Sequence, residues 1–167
     1  VKAGYTQPLI FAMAVYFIVL SYNLILIASG LPYPGGQEAS DEPFTETLKN
    51  VPALAALWLS GLFLGSVILH GSFWLLKGKA GYEATFRIFA YSSIANLLTI
   101  IPSVGHYACT ISTLVLVMLG GREIHGLSSL RAIAAPILPA IVVWGILMGL
   151  IYSGIVPLEK LTATFNQ

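Results

Sequence analysis

Charge is what this chain has least of. Asp, Glu, Lys and Arg make up 9% of its 167 residues, against 57% hydrophobic residues and a mean hydropathy of +0.85. A soluble domain carries about 25% charged residues. So little charge cannot clothe a water-facing surface, whereas a lipid-facing one accepts apolar side chains on its outside. Cysteine is nearly absent: Cys109 stands alone, which excludes an intramolecular disulfide framework. A net charge of +1, with no basic patch interleaved with aromatics, speaks against a nucleic-acid partner. The P-loop, GxGxxG before a helix and HExxH are all missing, as is any pair of acids inside an apolar run. All seven acidic residues fall in loops or at the ends of apolar runs, so the buried carboxylate of an ion-coupled transporter is lacking. Ser92 and Ser93 have no neighbouring Lys or His to activate them as a protease nucleophile. No enzymatic activity, metal site or cofactor is expected.

What the chain does have is five apolar runs, at 8–29, 51–76, 84–101, 104–119 and 136–156. A run of about 20 residues at about 1.5 Å rise crosses a hydrocarbon core of about 30 Å. The expected fold is an all-α integral membrane protein, a single five-transmembrane-helix domain over 1–167. The third and fourth runs are short, and a re-entrant hairpin is the alternative for them. The loop 30–50 is rich in Pro, Gly and acids, with a short interfacial helix at 44–48 as an option. Segments 77–83 and 120–135 read as loops. The first residue is Val1 rather than Met, so a preceding segment is expected; no cleavable signal peptide is visible.

Basic residues orient the bundle. With the N-terminus inside and the C-terminus outside, the inner face holds Lys2, Lys77, Lys79, Arg87, Arg122 and Arg131, and the outer face only Lys49 and Lys160. Tyr33, Tyr107 and Tyr152 then fall at the outer boundary and Trp74 and Tyr82 at the inner one, as aromatic belts do.

The candidate functional residues gather at the same inner end. Glu83, Arg87 and Tyr91 share one stripe of the third helix at i, i+4 and i+8. Arg122, Glu123 and His125 follow the fourth run, and Arg131 precedes the fifth. Together Glu83, Arg87, Arg122, Glu123, His125 and Arg131 form a candidate surface for a protein partner or anionic lipid headgroups. The plainer reading is that Arg87 snorkels and pairs with Glu83 while the others mark helix ends. Gly61 and Gly65, and Gly145 and Gly149, have the small-x-x-x-small spacing of close helix packing. Asn23, His70, Asn96 and Thr99 are polar groups inside apolar runs, expected to hydrogen-bond between helices. His70 could alternatively ligate a haem or chlorin metal, and His106 with Cys109, at i and i+3, could begin a metal site.

The run GYEATFRIFAYSSIANLLTIIPSVG, followed after an apolar helix by GGREIHGLSSLRAIAAPILP, resembles the core of the Yip domain. The matching elements are Gly81 with Thr85-Phe86-Arg87, the region of Tyr91, Ile101-Pro102 with Gly105, His125-Gly126-Leu127-Ser128, Arg131-Ala132 and Leu138-Pro139. The specific motifs cover about a third of the chain. The family is known as Ypt/Rab-interacting, five-span membrane proteins of bacteria, archaea and eukaryotes. The resemblance is to a prokaryotic-type member, in a bacterial inner (cytoplasmic) membrane. It implies a cytosolic N-terminus, association with other membrane proteins or with itself, and no catalytic residues. The role with Rab-type GTPases does not carry over to organisms without vesicle traffic.

Three functions are open at this point. The first is a non-enzymatic scaffold or accessory subunit, contacting membrane lipids and other subunits or forming a homo-oligomer. The second is a small-molecule or lipid transporter or permease built on Asn23, His70, Asn96 and Thr99. The third is a cofactor-carrying membrane subunit with His70 as ligand.

Overall fold

Backbone N–H and C=O groups in a long apolar run find no water in lipid and must pair within the segment, and the chain responds with helices. A computed structural model of the protein describes residues 4–30 and 44–153. Lys2, Tyr33, Glu38, Asp41, Glu42, Pro157 and Lys160 lie outside the described residues. The order is α1 (Thr6–Ser29), α2 (Phe44–Leu75), α3 (Tyr82–Ser92), a 3-10 helix (Ser93–Ile100), α4 (Gly105–His125) and α5 (Ser129–Tyr152), with no strand among the described residues.

Four helices are long and apolar enough to cross a bilayer: Thr6–Ser29, Leu48–Leu75, Gly105–His125 and Ser129–Ile146. The third expected span is not among them. Its α-helical part stops after 11 residues and continues as 3-10 helix. Side-chain chemistry accompanies the change of pitch. The hydroxyls of Ser92, Ser93 and Thr99 donate to carbonyls three residues back, Phe89 at 2.7 Å, Ala90 at 2.6 Å and Asn96 at 2.6 Å. Such local bonds compete with the regular ladder and favour a tighter turn.

Three boundaries differ from the sequence expectation. Helix α2 begins at Phe44, not at residue 51, so 44–48 is no separate helix. Polar Thr45 to Asn50 reads as loop on hydropathy, but these residues propagate a helix that the later apolar stretch anchors, and Pro52 is carried inside it. Helix α4 runs six residues beyond 119, and α5 begins at Ser129. Gly120 and Gly121 look like turn residues, yet they lie inside α4 because bulky side chains rest on them. A Cβ on Gly120 would meet Ile88 at 2.6 Å, and one on Gly121 would meet the Phe73 ring at 2.7 Å. Only 126–128 separate α4 from α5, with Gly126 at φ 65° closing the helix. Arg122, Glu123 and His125 are therefore helical, and Arg131 lies in the first turn of α5.

Two core clusters organise the packing. Leu69, Phe73, Ile88, Val117, Leu127, Ala132 and Ala135 join α2, α3, α4 and the start of α5. Ala12, Leu62, Phe86 and Ala90 join α1, α2 and α3. Most other apolar side chains face outward, as lipid contact allows. Among the α5 side chains described, Ala135 is the last buried one; past Pro139, Ile141, Val142, Trp144, Ile146 and Met148 are all exposed.

The opposite end of the bundle is a tight reversal between the 3-10 helix and α4. Ile101 is extended (φ −79°, ψ 119°), as the residue before a proline prefers. Ser103 takes φ 65°. The close approach is at Gly105, where a Cβ would lie 2.2 Å from the Leu98 carbonyl oxygen. Backbone cannot yield as a flexible side chain does. Gly105→Ala is expected to cost about 3 kcal/mol, read as a fall in melting temperature in detergent. Gly61→Ala, with nothing within 4 Å of its Cβ, should change it little.

Candidate functional site

The most buried polar group of the bundle is built by three helices around one hydroxyl. Thr85, on α3, is fully buried. Its Oγ1 lies 2.9 Å from His70 Nδ1 on α2 and 3.0 Å from His125 Nε2 at the end of α4. His125 is 1% exposed and its ring lies against Phe73, centroids 4.4 Å apart at 33°. His70 meets the Tyr82 ring edge-on at 5.7 Å. One turn before His70 on α2, the buried Ser66 hydroxyl pairs with the Tyr82 hydroxyl at 2.8 Å. Two polar pairs thus face each other, Ser66 and His70 at i, i+4 on α2 and Tyr82 and Thr85 at i, i+3 on α3.

One hydroxyl between two ring nitrogens fixes the direction of the bonds. Thr85 carries one hydrogen, so it donates to one imidazole and accepts from the other. His125 Nδ1 is buried and has no hydrogen-bond partner. A buried N–H without an acceptor is the rarer and costlier orphan. We therefore assign the proton of His125 to Nε2, which donates to Thr85. The Thr85 hydroxyl donates to His70 Nδ1, and His70 carries its own proton on Nε2. Selective ¹⁵N labelling of histidine should show the His70 and His125 rings, told apart from His106 by substituting each in turn, protonated at Nε2 and not at Nδ1; Thr85→Val should disperse both signals. Protonated Nδ1 on His125 would overturn the assignment.

The loop after α2 is shaped around the same ring. Lys77 adopts φ 67°, its N–H returns to Trp74 O at 3.0 Å, and the Gly78 N–H returns to Phe73 O at 2.7 Å. This is the Schellman helix ending, but with lysine in the left-handed position that glycine usually holds. The glycine sits one residue later for a steric reason. A Cβ on Gly78 would meet both His125 Nδ1 and Phe73 O at 2.9 Å. Lys79 N–H then donates to His125 O at 3.1 Å, tying the loop to α4. Lys77→Gly should stabilise by up to about 1 kcal/mol, while Gly78→Ala should destabilise by about 1–3 kcal/mol, measured as opposite shifts of melting temperature.

Around this knot, at the same end, lie the charged candidates. Glu83 and Arg87 form an i, i+4 ion pair, partly exposed. Arg122 donates to Glu123 Oε1 from Nε at 2.9 Å and from Nη2 at 2.7 Å, and both side chains are more than half exposed. Arg131 is exposed on the first turn of α5. His125 is set apart from these five by its burial. The expected surface set therefore splits into an outward charged group and an inward histidine.

The intramembrane polar set is not brought together. His70 lies at the charged end. Asn96 and Thr99 lie near the Pro102 turn, and Tyr22, the neighbour of Asn23, reaches the Ile100 carbonyl at 3.2 Å. Asn96 Oδ1 accepts from the Cys109 thiol at 3.3 Å. No group of three or more His, Cys, Asp or Glu side chains is placed to hold a metal among the described residues. Of the four glycines expected in close helix contacts, Gly65 meets the Phe89 ring, at 2.8 Å from its would-be Cβ; Gly61, Gly145 and Gly149 have nothing within 4 Å among the described residues. Gly105, Gly120 and Gly121 carry contacts as close or closer.

A family model described as Yip1 domain matches residues 2–151. The chain belongs to the Yip1 domain family. The matched region covers every described helix but for Tyr152, the last residue of α5, so the Yip1 domain here includes the histidine knot, the charged end and the Pro102 reversal together. With four helices of membrane-crossing length and composition, this Yip1-domain chain is an integral membrane protein. No match was found among curated proteins or among solved structures.

Proposed function

We propose that this chain is a non-enzymatic scaffold or accessory subunit of a larger membrane complex, docking through its charged end. The observation that carries the reading is the division of labour at that end. An inward knot of His70, Thr85 and His125 holds α2, α3 and α4 in register. Arg122, Glu123 and Arg131 are exposed at the same helix ends, with the partly exposed Glu83–Arg87 pair beside them. Exposed ion pairs of this kind contribute only about 0–1 kcal/mol to folding. Their arrangement suits recognition, where exposed charge sets orientation and partner choice.

On this reading the chain is one five-span domain. The segment 82–100 supplies the remaining crossing, because 3-10 helix rises about 2.0 Å per residue and α-helix about 1.5 Å, together about 32 Å. The N-terminus is then inside and the C-terminus outside, which puts the charged end in the cytoplasm under the positive-inside rule. A bacterial inner membrane is the setting this orientation suits. Partners are neighbouring subunits or further copies of the chain, with membrane lipids around them.

The test is gentle detergent extraction from native membrane followed by native mass spectrometry. The intact chain is expected within a defined larger assembly. Arg122→Ala combined with Arg131→Ala should release the chain from it while leaving the melting temperature within about 1 °C, since surface substitutions cost little. An assembly that survives the double substitution unchanged would remove this docking face.

A further inference from the structure

Away from the charged end, a cavity of about 240 Å³ opens sideways between α2, the 3-10 helix and α4. Trp58, Gly61, Leu62, Phe89, Asn96 and Thr113 line it, with Ser92 and Ser93 at its edge. A second cavity of about 220 Å³ continues past the shared Phe89 and Thr113, toward Gly65, Leu69 and Val117. No charged side chain lines either one. The two lie in series along α2 and α4, within the lengths that cross the bilayer.

The first cavity has more polar capacity than the protein uses. The Ser92 and Ser93 hydrogens are spent on backbone carbonyls. Asn96 is different. Its Oδ1 finds only a thiol, and its amide nitrogen has no hydrogen bond to a described residue. Turning the amide over exchanges the two ends without improving the account. The Trp58 indole N–H and the Thr113 hydroxyl also lack a hydrogen bond to a described residue. Donors of this kind facing hydrocarbon are costly, and a neutral oxygen acceptor relieves them.

Depth names the acceptor. Asn96 lies four residues before Ile100, the end of the 3-10 helix beside the Pro102 turn. At about 2.0 Å per residue that is about 8 Å below the turn, where a lipid's ester groups give way to its chains. The second cavity then runs from Asn96 toward the bilayer centre, where an acyl chain would go. We propose that this is a binding site for an ester-linked glycerolipid, with its ester carbonyl accepting from Asn96 and its acyl chain running past Phe89 toward Leu69. The absence of charge from the walls keeps the headgroup phosphate outside. The inference stands apart from the docking reading and needs only that the helices lie in a bilayer.

The test uses the full chain with Trp74→Phe and Trp144→Phe, leaving Trp58 as the fluorophore. It is titrated in mixed micelles with phosphatidylglycerol brominated on one chain, in diester form and in the matching diether form. Saturable quenching is expected, with half-saturation at an at least about threefold lower lipid fraction for the diester, the size of one neutral hydrogen bond. Asn96→Leu should bring the diester to the diether value. Gly61→Leu, whose side chain enters the cavity where nothing lies within 4 Å of the Cβ, should remove the saturable phase for both. Equal half-saturation for diester and diether overturns the carbonyl contact, and this comparison needs no variant of Asn96 or Gly61. Quenching that rises linearly without saturation means ordinary annular lipid and overturns the site. Quenching blocked by self-association of the chain assigns the cavity to a second copy and also overturns it.

Discussion

Helices in a bilayer gain nothing by hiding apolar side chains from one another, because the lipid is as apolar as they are. What holds them is close approach and polar contact. In this chain both meet at His125. Its Nε2 reaches Thr85, its ring covers Phe73, its carbonyl takes the Lys79 N–H, and Gly78 leaves the room it needs. One residue at the end of α4 therefore touches α2, α3 and the loop between them. Remove the ring and the Thr85 hydroxyl keeps His70, but α4 loses its side-chain hydrogen bond to α3 and the ring that covers Phe73.

The rest of the molecule reads as a consequence of that anchor. Gly120 and Gly121 let α4 descend onto Ile88 and Phe73 just before His125. The start of α5 is held by Ala132 and Ala135 on the same core. At the other end, Gly105 presses α4 against the 3-10 helix backbone. Between these two fastened ends α2 and α4 stand apart, and that gap is where the cavities lie. The bundle is thus tight where it is polar or glycine-rich and open where it is merely apolar, as expected without a hydrophobic drive between helices.

The sequence made the apolar runs legible because hydropathy alone specifies a membrane helix. It made the identity of the family legible through ordered motifs from Gly81 to Pro139. The knot was harder to see. His70 is 15 residues from Thr85, and Thr85 is 40 from His125, so no local pattern joins them. The helical spacing of Ser66 with His70 and of Tyr82 with Thr85 was a usable signal for two facing polar stripes. Gly120-Gly121-Arg122-Glu123 reads as a loop, which puts His125 among surface charges. In the fold those glycines are contact points, and the helix carries on through them. The change of pitch at Ser93 was also hidden, since Ser92, Ser93 and Thr99 are acceptable in an α-helix and act through hydrogen bonds to their own backbone.

That change of pitch has a mechanical meaning. A helix longer than the hydrocarbon thickness can tilt to fit, and α2 has length to spare. On the five-span reading, the segment 82–100 has none: it crosses only by being drawn out, and its end is pinned to α4 at Gly105. It acts as the gauge of the bundle. Lipid beside it must match its length, because it cannot lean, and a thicker bilayer would have to thin locally along the flank where the cavity opens.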